Sequence, residues 1–256
     1  MVQIERRYQV HRFYVPAVPL NEDFPLPRRD AKKILRVLRL SPGDEILLWD
    51  DEGREYRAQI TRAEGMSVYV KVLEEQSKEV ESPLPLVLVQ GIPKGDKFEF
   101  IIQKATELGV WRVYPALTER TIVRIPPDRQ GSRKERWQSV AREAARQSGR
   151  VQVPEIMPVT TLTELVQNIE KDAHRLILWE GEKGTGLKDY LRQNKPTKGS
   201  VYLLIGPEGG FSQQEVEFCI NNSFTSVTLG PRILRTETAG LVSLSLILYE
   251  WGDLGG

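Results

Sequence analysis

Two glycine-containing stretches carry the residues best suited to do chemistry. GPEGGFS (206–212) follows the apolar run VYLLI, and LGPRILRTETAG (229–240) follows another predicted strand. In open α/β sheets, ligands bind beyond the carboxyl ends of strands, beside helix N-termini. Both stretches are expected at such positions, so the sequence predicts a ligand site there.

The first stretch does not have the pattern of a phosphate-binding loop. It lacks the GK[ST] of a P-loop at the required spacing, and it is not GxGxxG. Glu208 would also repel a pyrophosphate. A cationic or uncharged ligand is therefore favoured, and the alternative is that both stretches are turns without a ligand.

The remaining composition favours metal-free chemistry in a reducing cytoplasm. The single cysteine excludes an internal disulfide, and two histidines without CxxC or HxxxH spacing predict no transition-metal site. Cys219 falls in an amphipathic segment and is expected to pack rather than act as a nucleophile. No apolar run is long enough to cross a bilayer, and the N-terminus MVQIERRYQVHRF has no signal-peptide core.

Basic residues are clustered although the net charge is only +1. Residues 28–39 hold six basic side chains against one acidic, and residues 119–150 hold nine against four. Such clusters are what phosphate contacts require. On a helix capped by Asp30, Lys32, Arg36 and Arg39 would share the face opposite the apolar one. The alternative is that these stretches are solvated helix faces.

The order of predicted elements indicates two domains, residues 1–75 and 76–256. The first contains short alternating strands, EILLWD (45–50), REYRAQIT (54–61) and SVYVKVL (67–73), which predict a small β-barrel with one basic helix. QSKEVESP (76–83) is the predicted linker. Strands then alternate with helices, which predicts a mostly parallel sheet covered on both faces. Helix boundaries are predicted by Gly109, a helix stop, and by capping boxes that begin at Ser132, Thr161 and Ser212.

LIGPEGGFSQQE followed by VTLGPRILRTETA resembles the signature of the RsmE family, bacterial methyltransferases that act on N3 of a uridine in 16S ribosomal RNA. KGDKFEFIIQKATELGV (94–110), TERT (118–121) and EAARQSGR (143–150) resemble further blocks of this family, and RRYQVHRFYV and ILRVLRLSPGDEI resemble its PUA-like RNA-binding barrel. The resemblance implies a SPOUT-type α/β trefoil-knot domain preceded by that barrel. It also implies S-adenosylmethionine as cofactor and the small ribosomal subunit as partner.

By this resemblance the two glycine stretches form the knot and the cofactor pocket. Glycines permit close approach of the backbone to adenosine, apolar side chains can bed adenine, and a helix start offers backbone donors. Trp179 could instead be a core residue. The predicted cofactor site consists of Trp179, Ile205, Gly206, Pro207, Glu208, Gly209, Gly210, Leu229, Gly230, Ile233, Leu234, Thr236, Glu237, Thr238 and Ala239.

Arg235 is the predicted catalytic residue, because a cation at the transfer centre would stabilise negative charge on the uracil ring. Its alternative is a structural ion pair with Glu237. The sequence identifies no general base. The predicted RNA contacts are Arg12, Arg36, Arg39, Arg120, Arg146 and Arg150.

The last predicted helix is apolar over most of its circumference, more than one buried stripe requires. We therefore expect a homodimer that uses this helix. Three other functions remain open: a SPOUT methyltransferase with another RNA target or 2′-O chemistry, a non-catalytic RNA-binding factor, and an unrelated nucleotide-binding enzyme.

Overall fold

The computed structural model describes residues 11–76 and 80–256, and the chain divides into two compact units between Val80 and Glu81. The stretch RRYQVHRFYV, which resembles part of the PUA-like barrel, and the predicted linker QSKEVESP lie partly outside the described residues. The expected division after residue 75 falls at the end of the strand Ser67–Gln76.

The first unit is a five-stranded sheet in the order β1-β3-β4-β5-β2. β3, β4 and β5 form an antiparallel meander, whereas β1 runs parallel to β3. All three alternating stretches form the strands that the sequence predicts. The strands are β1 (Arg12–Tyr14), β2 (Phe24–Pro25), β3 (Glu45–Trp49), β4 (Glu55–Glu64) and β5 (Ser67–Gln76).

The basic helix of this unit differs from its prediction in start and register. α1 (Arg28–Lys33) begins after Pro27, so Asp30 lies in the first turn and does not cap the helix. Its negative charge there interacts favourably with the positive end of the helix dipole. A π-helical turn follows (Ile34–Leu38), and Arg39 ends it in the left-handed conformation at φ 54°. The wider turn changes the register, so the predicted single α-helical face of basic residues does not form.

The second unit is built on a seven-stranded sheet whose pairings among the described residues are all parallel. The order is β12-β10-β11-β6-β7-β8, with β9 also pairing with β7. The strands are β6 (Leu86–Gly91), β7 (Arg112–Leu117), β8 (Glu155–Ile156), β9 (Thr160–Thr161), β10 (His174–Leu178), β11 (Val201–Ile205) and β12 (Thr225–Val227).

Helices cover both faces of this sheet, as the two separate apolar clusters beside it show. Consecutive residues of β6 are buried alternately in one cluster and the other, which explains the unbroken apolar run in the sequence. The helices are α2 (Lys97–Leu108), α3 (Pro127–Ser148), α4 (Leu162–Gln167), α5 (Leu187–Gln193), α6 (Gln213–Asn221) and α7 (Thr236–Trp251).

Helix boundaries confirm most of the predicted signals. Gly109 ends α2 in the left-handed conformation, and complete capping boxes begin α4 at Thr161 and α6 at Ser212. The capping box predicted at Ser132 is wrong. α3 begins earlier, after Pro126, and the Ser132 hydroxyl donates to the carbonyl of Arg129 inside the helix. Proline fixes a backbone angle suited to a helix start, which outweighs the capping spacing.

Arg150 has an interior role, which corrects its prediction as an RNA contact. Its guanidinium donates to the Glu81 carboxylate at 2.6 and 3.0 Å and to the carbonyls of Thr106 and Val110 at 2.9 Å. The residue is only 6% exposed. Because an unpaired buried charge is costly, this arginine must keep its partners and is not available to a phosphate.

Arg12 is corrected for the same reason. Its Nε lies 2.6 Å from the Glu55 carboxylate, the side chain is 9% exposed, and the guanidinium stands over the Trp49 ring. This pair fastens β1 to the core of the first unit rather than presenting a charge to RNA.

Candidate functional site

Three loops of the second unit converge on one cleft of about 760 Å³. They follow β10, β11 and β12, which are neighbours in the sheet, and so leave its edge at the carboxyl ends of the strands. The Leu187 amide donates to the Thr228 carbonyl at 2.9 Å, and the Thr228 amide donates to the Thr185 carbonyl at 3.0 Å. These bonds join the first loop to the third, so the cleft has a fixed frame.

The glycine turn closes tightly on itself. The Gly210 amide donates to the Pro207 carbonyl at 2.9 Å, and Gly210 has φ 65°. A Cβ on Gly206 would lie 2.9 Å from the Gly210 carbonyl carbon, and one on Gly91 would lie 2.5 Å from Pro207. Gly206 is therefore required by the turn itself, and a valine there would disturb the backbone as well as any ligand.

Glu208 is held in its ionised form by one lysine side chain and one backbone amide on its own side of the cleft. Its carboxylate accepts from Lys97 Nζ at 3.0 Å and from the Lys94 amide at 3.1 Å. Burial opposes ionisation of Glu208, but these bonds outweigh it and lower the pKa. The hydrogen bond to Glu208 raises the pKa of Lys97, whose Nζ also lies 3.7 Å from Glu237. Both groups are charged at neutral pH.

A second carboxylate organises the loop after β10. Glu182 accepts from the amides of Gly184 at 2.7 Å and Thr185 at 3.2 Å, and the Gly184 bond lowers its pKa. Glu180, Glu182 and Glu208 all line the cleft. The negative charge they supply suits a cationic ligand, as the glutamate in the turn predicts.

The remaining wall of the cleft is apolar, with Leu178, Trp179, Ile205, Phe211 and Ala239 among its residues. The Trp179 ring lies so close to the following chain that a Cβ at position 181 would fall 2.4 Å from it. Trp179 thus contributes both to the cleft and to the adjoining core. A flat aromatic group could be bedded on this wall.

The structure brings together all but three of the predicted cofactor residues. Gly209 points its carbonyl at Arg120, which donates to it at 2.8 Å, and so lies outside the cleft lining. Glu237 turns toward Lys97, and Thr238 is exposed on the outer side of α7. The lining includes Trp179, Ile205, Gly206, Pro207, Glu208, Gly210, Leu229, Gly230, Ile233, Leu234, Thr236 and Ala239.

Several lining residues escape prediction because their positions depend on the tertiary fold. Lys97 begins α2, more than a hundred residues before its partner Glu208. Its only signal in the sequence is the block KGDKFEF, which resembles the family without indicating a contact. Phe211, Pro231 and Arg232 lie within the two predicted stretches but are not among the residues predicted for the cofactor site. The other lining residues missed are Leu178, Glu180, Glu182, Lys183 and Thr228.

Arg235 stands at the cleft immediately before α7 and is exposed. The alternative ion pair with Glu237 does not form, since the cation recorded beside Glu237 is Lys97. Across residues 11–76 and 80–256, no hydrogen bond or ion pair engages the Arg235 guanidinium. Its charge is therefore available to a ligand bound in the cleft.

The other predicted RNA-contacting arginines lie in different surroundings. Arg36 and Arg39 are exposed in the first unit. Arg120 is exposed in the second unit, beside the glycine turn. Arg146 is held on α3 by an ion pair with Glu143.

Comparison with known proteins defines the class. Residues 80–248 match the RNA methyltransferase domain family, and residues 26–73 match the RNA methyltransferase PUA domain family. The chain is therefore an RNA methyltransferase with a PUA-like N-terminal domain. It belongs to the ribosomal RNA small subunit methyltransferase E family.

Individual relatives support this assignment over most of the chain. The Bacillus subtilis ribosomal RNA small subunit methyltransferase E is 33% identical over 91% of this chain and 92% of the relative. The Synechocystis protein of the same name is 38% identical over 83% of this chain and 68% of the relative.

Two solved structures are similar over 96% of this chain. The Neisseria gonorrhoeae enzyme bound to S-adenosyl methionine has a TM-score of 0.86 and 34% identity, with 99% of that chain covered. A Legionella pneumophila methyltransferase in complex with its bound cofactor has a TM-score of 0.87 and 32% identity, with all of that chain covered. The expected α/β domain with a mostly parallel sheet, preceded by a PUA-like domain, is confirmed.

Within the described ranges, no helix has the length and apolarity to span a membrane. The same part of the chain holds no cluster of histidine, cysteine and acidic residues suited to a metal ion.

Cys219 is a core residue of α6 and not a nucleophile. It is fully buried, and burial raises the pKa of its thiol to about 12. The sulfur therefore remains a neutral thiol throughout the physiological range.

We expect the native protein to react very slowly with a thiol-specific chromogenic disulfide at pH 8 and to release one equivalent only after denaturation. Cys219 is the only cysteine, so the signal is unambiguous. A Ser139→Cys variant, with the new thiol on the exposed side of α3, should react at once. Rapid stoichiometric reaction of the native wild type would contradict the buried assignment.

Proposed function

We propose that this protein transfers a methyl group from S-adenosylmethionine to N3 of a uridine in the 16S RNA of the small ribosomal subunit. The observation that carries the proposal is the cleft at the ends of β10, β11 and β12 in a chain of this family. The named relatives are small-subunit ribosomal RNA methyltransferases, and one solved structure holds S-adenosyl methionine. A ribosomal substrate places the reaction in the cytoplasm.

The cleft suits this cofactor in size and in charge. Its volume of about 760 Å³ lies within the range of small-molecule sites. Three carboxylates complement the cationic sulfonium and amino groups, while Leu178, Ile205 and Leu234 offer apolar surface to adenine. The lining residues among the predicted cofactor set are those we assign to binding.

The bound cofactor supplies an electrophilic methyl group, and the chain must hold uracil N3 in line with it. The carbon–sulfur bond breaks as the nitrogen–carbon bond forms, and the N3 proton leaves to solvent or to a base. Arg235 is the residue we assign to stabilising the negative charge that develops on the uracil ring. Lys97 adds a second positive charge at the cleft wall, partly balanced by its ion pair with Glu208 at 3.0 Å.

Two of the three acidic residues of the cleft, Glu182 and Glu208, are poor candidates for the base. Lowered pKa values make Glu182 and Glu208 weak proton acceptors, and both carboxylates are already hydrogen-bonded. Stabilisation of the uracil anion by cations therefore accounts better for loss of the proton than abstraction by either glutamate.

Incubation with unmodified small ribosomal subunits and S-adenosylmethionine should yield 3-methyluridine, detected by mass spectrometry of nucleosides. Arg235→Ala should lower kcat on the order of 100-fold, with little change in cofactor affinity. Arg192→Ala, which removes an exposed charge from α5, is the matched control and should behave as wild type. A 2′-O-methyl product, or no product, would contradict the proposed chemistry.

RNA binding is proposed to use exposed basic residues in each unit. Arg36 and Arg39 represent the first unit, and Arg120 represents the second, where its side chain adjoins the turn that borders the cleft. Arg124, Arg129 and Arg133 extend the second surface, since all are exposed. Arg146 remains a proposed RNA contact, although its guanidinium already forms an ion pair with Glu143.

Replacing Arg36 and Arg39 together by alanine should weaken RNA binding and reduce the slope of log K against log salt by roughly two units, since each phosphate contact contributes roughly one. Cofactor affinity should not change. The double variant Lys188→Ala and Arg192→Ala removes equal charge from α5 and should leave the slope unaltered. An unchanged slope in the first variant would show that this surface is only solvated.

A homodimer is proposed from the outer face of α7. Val242, Leu246 and Tyr249 recur at helical spacing there and are 37%, 41% and 67% exposed. An apolar stripe of this kind is typical of an interface. Leu248 does not belong to it, because this residue is fully buried in the core of its own chain. A charge at that position would unfold the protein rather than separate subunits.

Sedimentation at micromolar concentration should therefore show a dimer for the wild type and a shift to monomer for Leu246→Glu. Leu246→Met keeps the apolar contact and should remain dimeric. Circular dichroism must show that both variants are folded. A monomeric wild type, or a dimeric Leu246→Glu, would contradict the assignment of this face.

A further inference from the structure

Gln90 places a polar side chain at the centre of the parallel sheet. It lies near the end of β6, between β11 and β7, and is fully buried. Its amide nitrogen donates to Thr236 Oγ1 at 2.8 Å and to the Gly91 carbonyl at 3.0 Å. The Thr236 hydroxyl in turn donates to the Gly206 carbonyl at 2.5 Å.

This chain of hydrogen bonds links the two loops on which the cleft depends. Gly206 begins the turn after β11, and Thr236 is the first residue of α7, at the end of the loop after β12. Both residues line the cleft, whereas Gln90 lies behind them. The Gln90 amide can therefore affect the ligand site only through Thr236 and Gly206.

Burying the Gln90 side chain costs free energy of folding, because one of its polar atoms has no hydrogen-bond partner among the described residues. Both amide protons of Gln90 are used, but its Oε1 is buried and finds no hydrogen-bond partner among residues 11–76 and 80–256. An unsatisfied buried acceptor is unfavourable, and neighbouring positions of β6 hold leucine and valine. Stability alone would favour an apolar residue here, so the amide serves the position of the loops.

We propose that Gln90 is a positioning residue of the methyltransferase site. By holding Thr236 Oγ1 against the Gly206 carbonyl, it fixes the distance between the glycine turn and the start of α7. That distance sets the width of the cleft floor. The inference rests on the proposed function, because the ligand it assumes is S-adenosylmethionine.

Calorimetric titration of the purified protein with S-adenosylmethionine tests this, with thermal unfolding of the unliganded protein measured in parallel. Gln90→Leu keeps size and burial but removes the donors, and should raise Kd roughly tenfold. Thr236→Val should do the same, and Thr236→Ser, which keeps the hydroxyl, should bind more tightly than Thr236→Val. Because Gln90 acts through Thr236, the double variant should lose little more than either single variant.

Ser243→Ala is the control for removal of a buried polar group. Ser243 is fully buried on α7, and its hydroxyl has no partner in the described part of the chain. This variant should bind with wild-type affinity. If Gln90→Leu does not fold, the contrast between Thr236→Val and Thr236→Ser decides.

The possible results separate this inference from the proposed function. If Gln90→Leu folds and binds S-adenosylmethionine with the Kd of the wild type, the inference alone is overturned. The inference is also overturned if the losses of binding free energy in the two single variants add up in the double variant. A Gln90→Leu protein that melts earlier but binds normally would assign the amide to stability and also overturn it. Absence of binding by the wild type would overturn the proposed function and the inference together.

Discussion

The meeting of three strand ends at one edge of a parallel sheet is the constraint on which the site depends. β10, β11 and β12 are adjacent and parallel, so the loops that follow them must leave the sheet side by side. Residues between 178 and 239 therefore line one cleft, together with Lys97 of α2. The backbone bonds between the first and third loops and the tightly closed glycine turn then fix its shape.

The cleft is bordered by charged residues of both signs. Carboxylates at the cleft wall are held ionised by backbone amides and by Lys97, which gives a negative surface toward a cationic cofactor. Arg235 stands at the same cleft without a partner among the described residues, and so offers a positive charge to a second ligand. One cleft can thus receive a cation and stabilise an anion, as methyl transfer to a uracil ring requires.

The sequence predicts the parts of this account that depend on local signals. Apolar runs, Gly109 and the capping boxes at Thr161 and Ser212 locate strands and helix ends, because each signal acts within a few residues. The box at Ser132 fails where Pro126 offers an earlier helix start. The predicted RNA contacts of Arg12 and Arg150 are wrong, because each side chain is buried and pairs with a carboxylate distant in sequence. Nothing in the local sequence distinguishes these arginines from the exposed Arg36. Gln90 and Lys97 escape notice because their partners are more than a hundred residues away.

Hydrogen–deuterium exchange with and without S-adenosylmethionine tests the central claim most directly, since it reports on each loop separately. The account predicts that the ligand slows amide exchange in residues 206–212 and 228–236 together, with little change in the first unit. Protection confined to another part of the chain, or none at saturating ligand, would contradict the assignment of the cleft.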